Sequence, residues 1–262
     1  MLRNLINKYL KENIPNDDVA LLFSGGSDSL SILLSCLDLN IKPHLYTFRL
    51  SNHESQDSIY SKKISEIFSL KHTEVILNVD DINLLSDVEY IISHFKVKKK
   101  THVQCIHPFI YLIPKINQSV ILTGLCADDL YGTPRSMAKY AKTSFFNELR
   151  QRIYENIESS GYKFINQIAS ENNKLLIAPY KQSQDIYNYM ILKTYKEMHS
   201  PKQKFIMFDD YKTELLTHNI YRRNSNLQCD SKIREWHDTL LVSNKSVTAI
   251  YNKIYRDKYE NC

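Results

Sequence analysis

Residues 19–29 read Val-Ala-Leu-Leu-Phe-Ser-Gly-Gly-Ser-Asp-Ser, and this stretch decides the fold. Its first five residues form a short apolar run bounded by turn-forming residues, which is typical of a buried parallel strand. From Ser29 to Leu39 the apolar residues recur at helical spacing. The stretch therefore predicts a strand, a glycine-rich turn and a helix in direct succession.

Strands and helices alternate on both sides of this stretch as far as Gly132. The sequence predicts further strands at His44–Leu50, Thr73–Val79 and Ser119–Thr123, and helices at Leu2–Lys11, Glu54–Leu70, Ile82–Phe95 and Val103–Ile116. Such alternation predicts an α/β fold with a doubly wound parallel sheet.

The pattern changes beyond Gly132, where runs typical of strands become scarce. Segments with helical spacing that are rich in Lys, Glu and Tyr follow at Met137–Glu158, Gln184–Met198, Ser231–Leu241 and Val247–Tyr259. We therefore expect residues 1–133 to form an α/β domain and residues 134–262 to form a helical C-terminal part that completes it.

The turn after the first strand carries residue types that suit a phosphate. Open α/β sheets bind ligands outside the carboxyl ends of their strands. Gly25 and Gly26 allow backbone to approach a ligand closely, and the helix that follows adds unpaired N–H groups and its dipole. Asp28 suits a Mg²⁺ ion that bridges phosphates. Hydroxyl donors flank these residues at Ser24, Ser27 and Ser29.

Other glycine-rich phosphate loops do not match this turn. A P-loop requires Gly-Lys-Ser/Thr, and a dinucleotide fold requires Gly-x-Gly-x-x-Gly, and neither occurs here. The remaining alternative is an ordinary Gly-Gly turn with a Ser/Asp helix cap. The position between an apolar strand and an amphipathic helix favours the phosphate site.

A second stretch follows the fourth predicted strand and reads Thr-Gly-Leu-Cys-Ala-Asp-Asp-Leu-Tyr-Gly at residues 123–132. Ser24–Ser29 resembles the pyrophosphate loop of the N-type ATP pyrophosphatases, the PP-loop superfamily. Residues 123–132 resemble the Ser-Gly-Glu-Gly-Ala-Asp-Glu-Leu-Phe-Gly segment of the asparagine synthetase synthase domain, which β-lactam synthetase shares. The resemblance covers Val19–Gly132 and continues loosely to Ala178–Tyr180 and Tyr221–Arg223.

The resemblance implies an adenine nucleotide α-hydrolase-like fold and an ATP site. In this family ATP is cleaved between its α and β phosphates, and a carboxylate or related group becomes an adenylate. The resemblance implies that Asp28 and Asp128 hold Mg²⁺ and that Asp128 belongs to the catalytic centre. It also implies a nucleotide site with Ser24, Gly25, Gly26, Ser27, Asp28 and Ser29 around the pyrophosphate and Leu22, Thr47, Phe48 and Gly124 around the adenine.

Asp128 and Asp129 predict a bound metal ion independently of the resemblance. Two adjacent carboxylates at the end of a strand repel each other, and a bound cation relieves that repulsion. The alternative is a solvated pair of acids on a loop.

One departure from the family pattern concerns the lysine that stabilises the departing pyrophosphate. The aligned position is Asn224, so we expect Arg222 or Arg223 to supply the cation, because a planar guanidinium suits phosphate oxygens. Lys181 and Lys232 are the alternatives.

A second departure concerns the nitrogen donor. Leu125 stands where asparagine synthetase has a Glu and β-lactam synthetase a Tyr, and it can replace neither. The chain opens with Met-Leu, without the N-terminal cysteine of the family's glutaminase domain. We therefore expect a small-molecule carboxylate as substrate, with ammonia or an amine as acceptor and a separate glutaminase or other subunit as a possible nitrogen source.

Two rival functions remain open. A tRNA- or nucleobase-modifying ATP pyrophosphatase is suggested by the run Lys96–Lys100 and by 18 tyrosines, but the paired cysteines of many such enzymes are absent, so a nucleic-acid partner is the weaker expectation. A catalytically degenerate nucleotide-binding subunit is suggested by Leu125 and Asn224.

Composition agrees with an ordinary globular protein of 262 residues, 43% hydrophobic and with a net charge of +5. No apolar run approaches the roughly 20 residues of a membrane span, and the N-terminus does not resemble a signal peptide, so we expect a cytoplasmic protein with no membrane partner. The five cysteines are scattered singly. Cys126 lies within the second motif, and we interpret it as a packing residue rather than a nucleophile.

Overall fold

The computed structural model describes residues 1–158, 161–222, 227–241 and 246–260. Its centre is a parallel sheet of five strands in the order β3-β2-β1-β4-β5. The strands are β1 (Val19–Leu22), β2 (His44–Leu50), β3 (His72–Leu77), β4 (Val120–Thr123) and β5 (Leu175–Ile177). The predicted α/β class and doubly wound parallel sheet are confirmed.

Helices pack on both faces of this sheet. In the first half of the chain they are α1 (Leu2–Asn13), α2 (Ser27–Asp38), α3 (Gln56–Ile67), α4 (Leu84–Phe95) and α5 (Lys100–Leu112). In the second half they are α6 (Ala127–Tyr131), α7 (Arg135–Ala138), α8 (Phe145–Glu155), α9 (Tyr162–Glu171), α10 (Pro179–Gln182), α11 (Gln184–Ile191), α12 (Tyr195–His199), α13 (Phe205–Asp210), α14 (Lys212–Thr217), α15 (Leu227–Asp230), α16 (Ile233–Asp238) and α17 (Val247–Tyr259). No helix within the described ranges has the length and apolar character needed to cross a lipid bilayer.

The central strand β1 is buried on both faces, which explains why its sequence is continuously apolar. Val19 and Leu21 pack into the core formed with α1 and α2, whereas Ala20 and Leu22 pack into the core formed with α4 and α5. Successive side chains of β1 point to opposite faces of the sheet and so pack into two separate cores.

The strand order places a crevice where ligands bind in such sheets. The chain builds β1, β2 and β3 outward in one direction and then returns to place β4 on the other side of β1. The segments that follow β1 and β4 therefore leave the same edge of the sheet side by side, at the topological switch point.

Several predicted boundaries after Gly132 were wrong. The sequence assigned no strand there, but β5 pairs with β4; it has three residues and an exposed Leu175, too little to show a period. The single helices predicted over Met137–Glu158 and Gln184–Met198 are each broken in two. Because β5 follows residue 133, the sheet draws on both parts of the chain, and the division at that residue stays a prediction.

Arg150 on α8 explains one of these breaks. Its buried guanidinium donates hydrogen bonds of 2.8–3.0 Å to the carbonyl oxygens of Leu130, Met190, Ile191 and Lys193. Those carbonyls lie at or just beyond the C-terminal ends of α6 and α11, where intrahelical partners run out, although the Met190 carbonyl also accepts the Lys193 N–H. A cation there also meets the negative end of each helix dipole. Arg150 therefore ends α11 and fixes the short helix α6.

The C-terminal helices α16 and α17 are held to α4 and α5 by a buried chain of hydrogen bonds. The Tyr251 hydroxyl bonds to His237 Nδ1, His237 Nε2 lies 2.9 Å from His107 Nδ1, and His107 Nε2 lies 2.8 Å from an Asp87 oxygen. Because the Asp87 carboxylate only accepts, each neutral ring can donate toward it and accept from the next group. Burial lowers the pKa of His237 to about 2, so this ring stays neutral.

We expect His237→Phe to destabilise the protein by about 1–3 kcal/mol for each polar group that it leaves unpaired, namely His107 Nδ1 and the Tyr251 hydroxyl. The wild-type free energy of unfolding should fall below pH 6.5 by up to about 1.4 kcal/mol per pH unit from this residue, because the unfolded chain takes up a proton that the folded chain refuses. Urea denaturation at pH 7.5 and pH 5.5 measures both effects.

The matched control is His218→Gln, which alters an exposed histidine. Its ring makes one edge contact, with Phe68, so the substitution should cost about 1 kcal/mol or less at pH 7.5, below the loss expected of His237→Phe. An acid dependence of His237→Phe as steep as that of the wild type would contradict the assignment.

Candidate active site

The turn after β1 is shaped by its own serines. The Ser24 backbone N–H donates to Ser29 Oγ at 3.3 Å, Ser29 Oγ donates to the Gly26 carbonyl at 3.2 Å, and the Gly26 N–H donates to Ser24 Oγ at 3.2 Å. These bonds wrap the turn around the start of α2, where Ser27 opens the helix. The first-turn N–H groups of a helix point toward a ligand placed before it.

Glycine is required where this turn meets its neighbours. Gly25 has a φ of +67°, and a Cβ there would lie 2.9 Å from the Cβ of Tyr60. A Cβ on Gly124, in the segment after β4, would lie 2.6 Å from the backbone carbon of Asp28. The two motifs that the sequence singled out are therefore in direct backbone contact.

Asp28 and Asp128 converge on one cation, the ammonium of Lys204. Lys204 Nζ lies 2.5 Å and 2.7 Å from the two Asp28 oxygens and 2.6 Å from Asp128 Oδ1. The lysine side chain is 2% exposed, whereas Asp128 is 49% exposed and faces the cleft. The Thr133 hydroxyl also donates to Asp128.

The charges in this cluster depend on one another. Burial raises the pKa of Asp28 to about 6, although Lys204 opposes that shift. Burial acts in the same direction on Asp128, but Lys204 and Thr133 outweigh it and lower the pKa of Asp128. Burial disfavours the ammonium of Lys204, yet the two carboxylates prevail and raise its pKa. Lys204 is therefore a fixed positive charge between two acids.

With Lys204 between them, the two carboxylates offer Mg²⁺ a partial set of ligands that phosphate oxygens would complete. Among the described residues, no group of three His, Cys, Asp or Glu side chains could hold a metal ion by itself. Mg²⁺ is commonly bound through one or two carboxylates plus substrate phosphates. Two carboxylates that already converge on an ammonium provide that partial set of ligands.

A cleft beside the cluster has the apolar walls that a purine ring requires. Leu22 lines it from the end of β1, Thr47 and Phe48 line it from β2, and Gly124 lines it from the segment after β4. These are the residues expected around the adenine, and that role stays a prediction. The opposite wall comes from α5 and α15. Further apolar lining residues are Tyr46, Phe109, Leu112, Leu125 and Leu227.

Arg222 reaches the turn from outside the cleft. Its guanidinium donates to the Ser24 carbonyl at 2.8 Å, pairs with the Asp57 carboxylate and lies over the Tyr60 ring. These contacts brace the turn, and the role of Arg222 toward pyrophosphate stays a prediction. Arg223 and Asn224 lie outside the described residues.

Lys181 and Lys232, the alternatives to the arginines, are engaged away from the carboxylate pair. Lys181 bonds to the carbonyl oxygens of Tyr154 and Asn156, and Lys232 pairs with Glu235. Lys204 is the lysine that reaches both acids. Sequence reasoning missed it because it lies between Pro201 and an apolar helix, in no recognisable motif.

Cys126 and Leu125 complete the segment after β4. Burial raises the pKa of the Cys126 thiol far above its usual range, which agrees with its interpretation as a packing residue. Leu125 lines the cleft and offers no proton donor or acceptor there.

Comparisons with known proteins support the family. The asparagine synthase family model matches residues 5–249, which is most of the chain. Among curated protein sequences, no significant match was found.

Two solved structures were compared. One, described as a predicted subunit of tRNA methyltransferase from Methanocaldococcus jannaschii, is 15% identical, with a TM-score of 0.35 over 79% of this chain and 93% of that chain. The other, NMN synthetase from Francisella tularensis, is 13% identical, with a TM-score of 0.36 over 93% of this chain and 96% of that chain. At these values neither indicates a function. The family match and the site geometry agree on an ATP-using, ligase-type protein, and the chain belongs to the asparagine synthase family.

Proposed function

We propose that this protein uses ATP and Mg²⁺ to adenylate a carboxylate and passes the acyl group to ammonia or an amine, forming a carbon–nitrogen bond. The observation that carries the proposal is the convergence of Asp28 and Asp128, from the segments after two neighbouring strands, above a glycine-rich turn. That arrangement suits the charged phosphates of a nucleotide whose base lies in the adjoining apolar cleft.

The proposed reaction has two displacements. A substrate carboxylate oxygen attacks the α-phosphorus, a new oxygen–phosphorus bond forms, and the bond to pyrophosphate breaks. The amine nitrogen then attacks the acyl carbon, the bond between that carbon and the AMP oxygen breaks, and the nitrogen releases one proton to water as the amide forms. The turn at Ser24–Ser29 holds the β and γ phosphates in line for the first displacement, because its N–H groups and hydroxyls are fixed in advance.

Mg²⁺, held by Asp28, Asp128 and phosphate oxygens, would neutralise charge on the phosphates. Lys204 supplies a second positive charge at the same place, and negative charge grows on the pyrophosphate as it departs. A buried ammonium that needs no reorganisation stabilises such charge strongly. Lys204 thus fits the part that Arg222 and Arg223 were expected to fill.

The proposed nitrogen donor follows from Leu125. A leucine at this position cannot take a proton from an incoming nucleophile, which favours a nucleophile that arrives uncharged, as free ammonia or an amine. A separate glutaminase is one source of such ammonia. We also propose that the protein acts in the cytoplasm.

A second candidate is an ATP-binding subunit without catalysis. One observation favours it: Lys204 already occupies the position between the two carboxylates where a metal ion would bind. Such a subunit would bind ATP and release no pyrophosphate with any acid.

Incubation with ATP, Mg²⁺ and a panel of carboxylic acids should release AMP and pyrophosphate in equal amounts. Asp28→Asn and Asp128→Asn should each lower the rate by about a hundredfold or more, because preorganised charge at the phosphates is removed. A coupled pyrophosphate assay measures the rate. The matched control is Asp185→Asn, which alters an exposed carboxylate paired with Lys8.

Full activity in Asp28→Asn and Asp128→Asn would contradict the proposal. ATP binding by calorimetry without pyrophosphate release from any acid would select the non-catalytic subunit.

Lys204→Met should leave two carboxylates without their counter-charge, so Mg²⁺ alone should bind and stabilise this variant. We expect a rise of several degrees in the melting temperature with millimolar Mg²⁺ in Lys204→Met and little change in the wild type, because binding to the native state stabilises it. Scanning calorimetry without nucleotide measures the shift. An equal Mg²⁺ response of both proteins would show that Lys204 does not occupy the cation position.

Gly124→Ala should weaken ATP binding by roughly tenfold or more, because its Cβ would press on the Asp28 backbone and open the turn. The control is Ser170→Ala, which alters an exposed residue of α9. Isothermal titration with ATP compares the two variants. Equal ATP affinities of the two variants would show that the contact between Gly124 and the turn after β1 is not needed for ATP binding.

A further inference from the structure

A second cavity of about 550 Å³ lies between the segment that follows α7 and helix α12. Lys139 and Lys142 line it from one side, and Lys196 and His199 from the other, with Tyr195 beside them. We refer to this space as the lysine cavity. Its volume falls within the range of roughly 300–1,000 Å³ that is typical of sites for small molecules.

The three lysines of the cavity have no acidic counterparts. Within the described ranges, no carboxylate lies within 4 Å of the ammonium of Lys139, Lys142 or Lys196, and no Asp or Glu lines the cavity. The neighbouring Lys193, by contrast, is paired with Glu197. The three side chains are exposed, and the Lys139 ammonium lies 5.0 Å from the centroid of the Tyr140 ring. Lysines gathered around one concave surface favour a ligand with several negative charges.

Both walls of the lysine cavity lead directly to Asp128. On one side Thr133, five residues before Ala138, donates its hydroxyl hydrogen to the Asp128 carboxylate. On the other side Lys204, four residues after Ser200, places its ammonium 2.6 Å from the same carboxylate. The two segments that line the cavity thus continue within five residues to partners of Asp128, and the cavity shares no lining residue with the nucleotide cleft.

His199 joins the floor of the cavity to the same cluster. Its Nδ1 accepts the backbone N–H of Lys204 at 3.2 Å, and its Nε2 donates to the Tyr131 carbonyl at 2.7 Å, since a carbonyl only accepts. Both ring nitrogens are satisfied with a neutral ring, and burial lowers the pKa of His199 accordingly. The floor is rigid and uncharged, so the lysines supply the positive charge.

We propose that the lysine cavity binds the anionic tail of the acid that is adenylated, so that the substrate is a small acid with at least two further negative charges, a polycarboxylate or a phosphorylated acid. This inference rests on the proposed function. A nucleic acid is the less suitable ligand, because a strand of phosphates requires an extended groove with exposed aromatic rings.

The test compares two triple variants with the same change in charge. Lys139→Gln/Lys142→Gln/Lys196→Gln removes the cavity lysines. Lys11→Gln/Lys42→Gln/Lys115→Gln is the control, since these three lysines are exposed elsewhere. Calorimetric titration uses citrate and 3-phosphoglycerate as multiply charged probes and acetate as a singly charged one, without Mg²⁺, which citrate would chelate.

The cavity variant should bind citrate or 3-phosphoglycerate at least about tenfold more weakly than the wild type, and the control variant should match the wild type. Acetate should bind none of them measurably. Equal affinities of the two triple variants for both multiply charged probes would overturn the proposal. So would displacement of the probe by a single-stranded RNA oligonucleotide with a steep dependence on salt, because that result identifies a phosphate-backbone site.

Pyrophosphate release separates this proposal from the proposed function. If citrate binding depends on the cavity lysines but no acid releases pyrophosphate, the site stands and the ligase function falls. If singly charged acids are adenylated and the cavity variant keeps the wild-type KM for every acid, the function stands and the lysine cavity proposal falls.

Discussion

Two carboxylates that face each other at the ends of neighbouring strands require a cation, and the structure is arranged around that requirement. Asp28 and Asp128 belong to segments that leave β1 and β4 side by side, so their proximity follows from the strand order. A buried ammonium between them is tolerable only because both acids contact it, since desolvation of a lone charge costs several kcal/mol. Residues 28, 128 and 204 thus fix one another across most of the chain.

Backbone contacts also hold Asp28 and Asp128 in this arrangement. Gly124 lies against the Asp28 backbone, and neither segment can move away without exposing the other. Arg150 holds the far end of α6, the short helix whose first turn carries Asp128. A five-residue helix has little stability of its own. The position of one functional carboxylate therefore depends on an arginine that touches neither ATP nor metal in any proposed step.

The sequence predicted the first half of the fold well because strong signals coincide there. The apolar run at Val19–Phe23 and the Gly-Gly turn specify a strand, a turn and a helix locally, and the resemblance extends from the same residues. The second half carries weaker signals. Strand β5 is too short to show a period, and α11 ends where its last carbonyls accept hydrogen bonds from Arg150, a residue distant in sequence. Lys204 could not be found, because a lysine becomes functional there only through two aspartates far away in sequence.

The need to balance negative charge also bears on which substrate the enzyme recognises. A protein that binds ATP and an acid must bring many negative charges together, and each one not matched by a positive charge or a metal opposes the next. Lys204 balances the two aspartates, and the turn N–H groups with Mg²⁺ would balance the phosphates. The lysine cavity is lined by segments that continue to this cluster, and its three lysines have no carboxylate partner among the described residues. Leu125 adds no charge to the cleft, whose charged lining residues Asp28, Asp57 and Asp128 are all acidic. Positive charge for a further anionic group therefore has to come from outside the cleft, and the three lysines of the lysine cavity are suited to supply it.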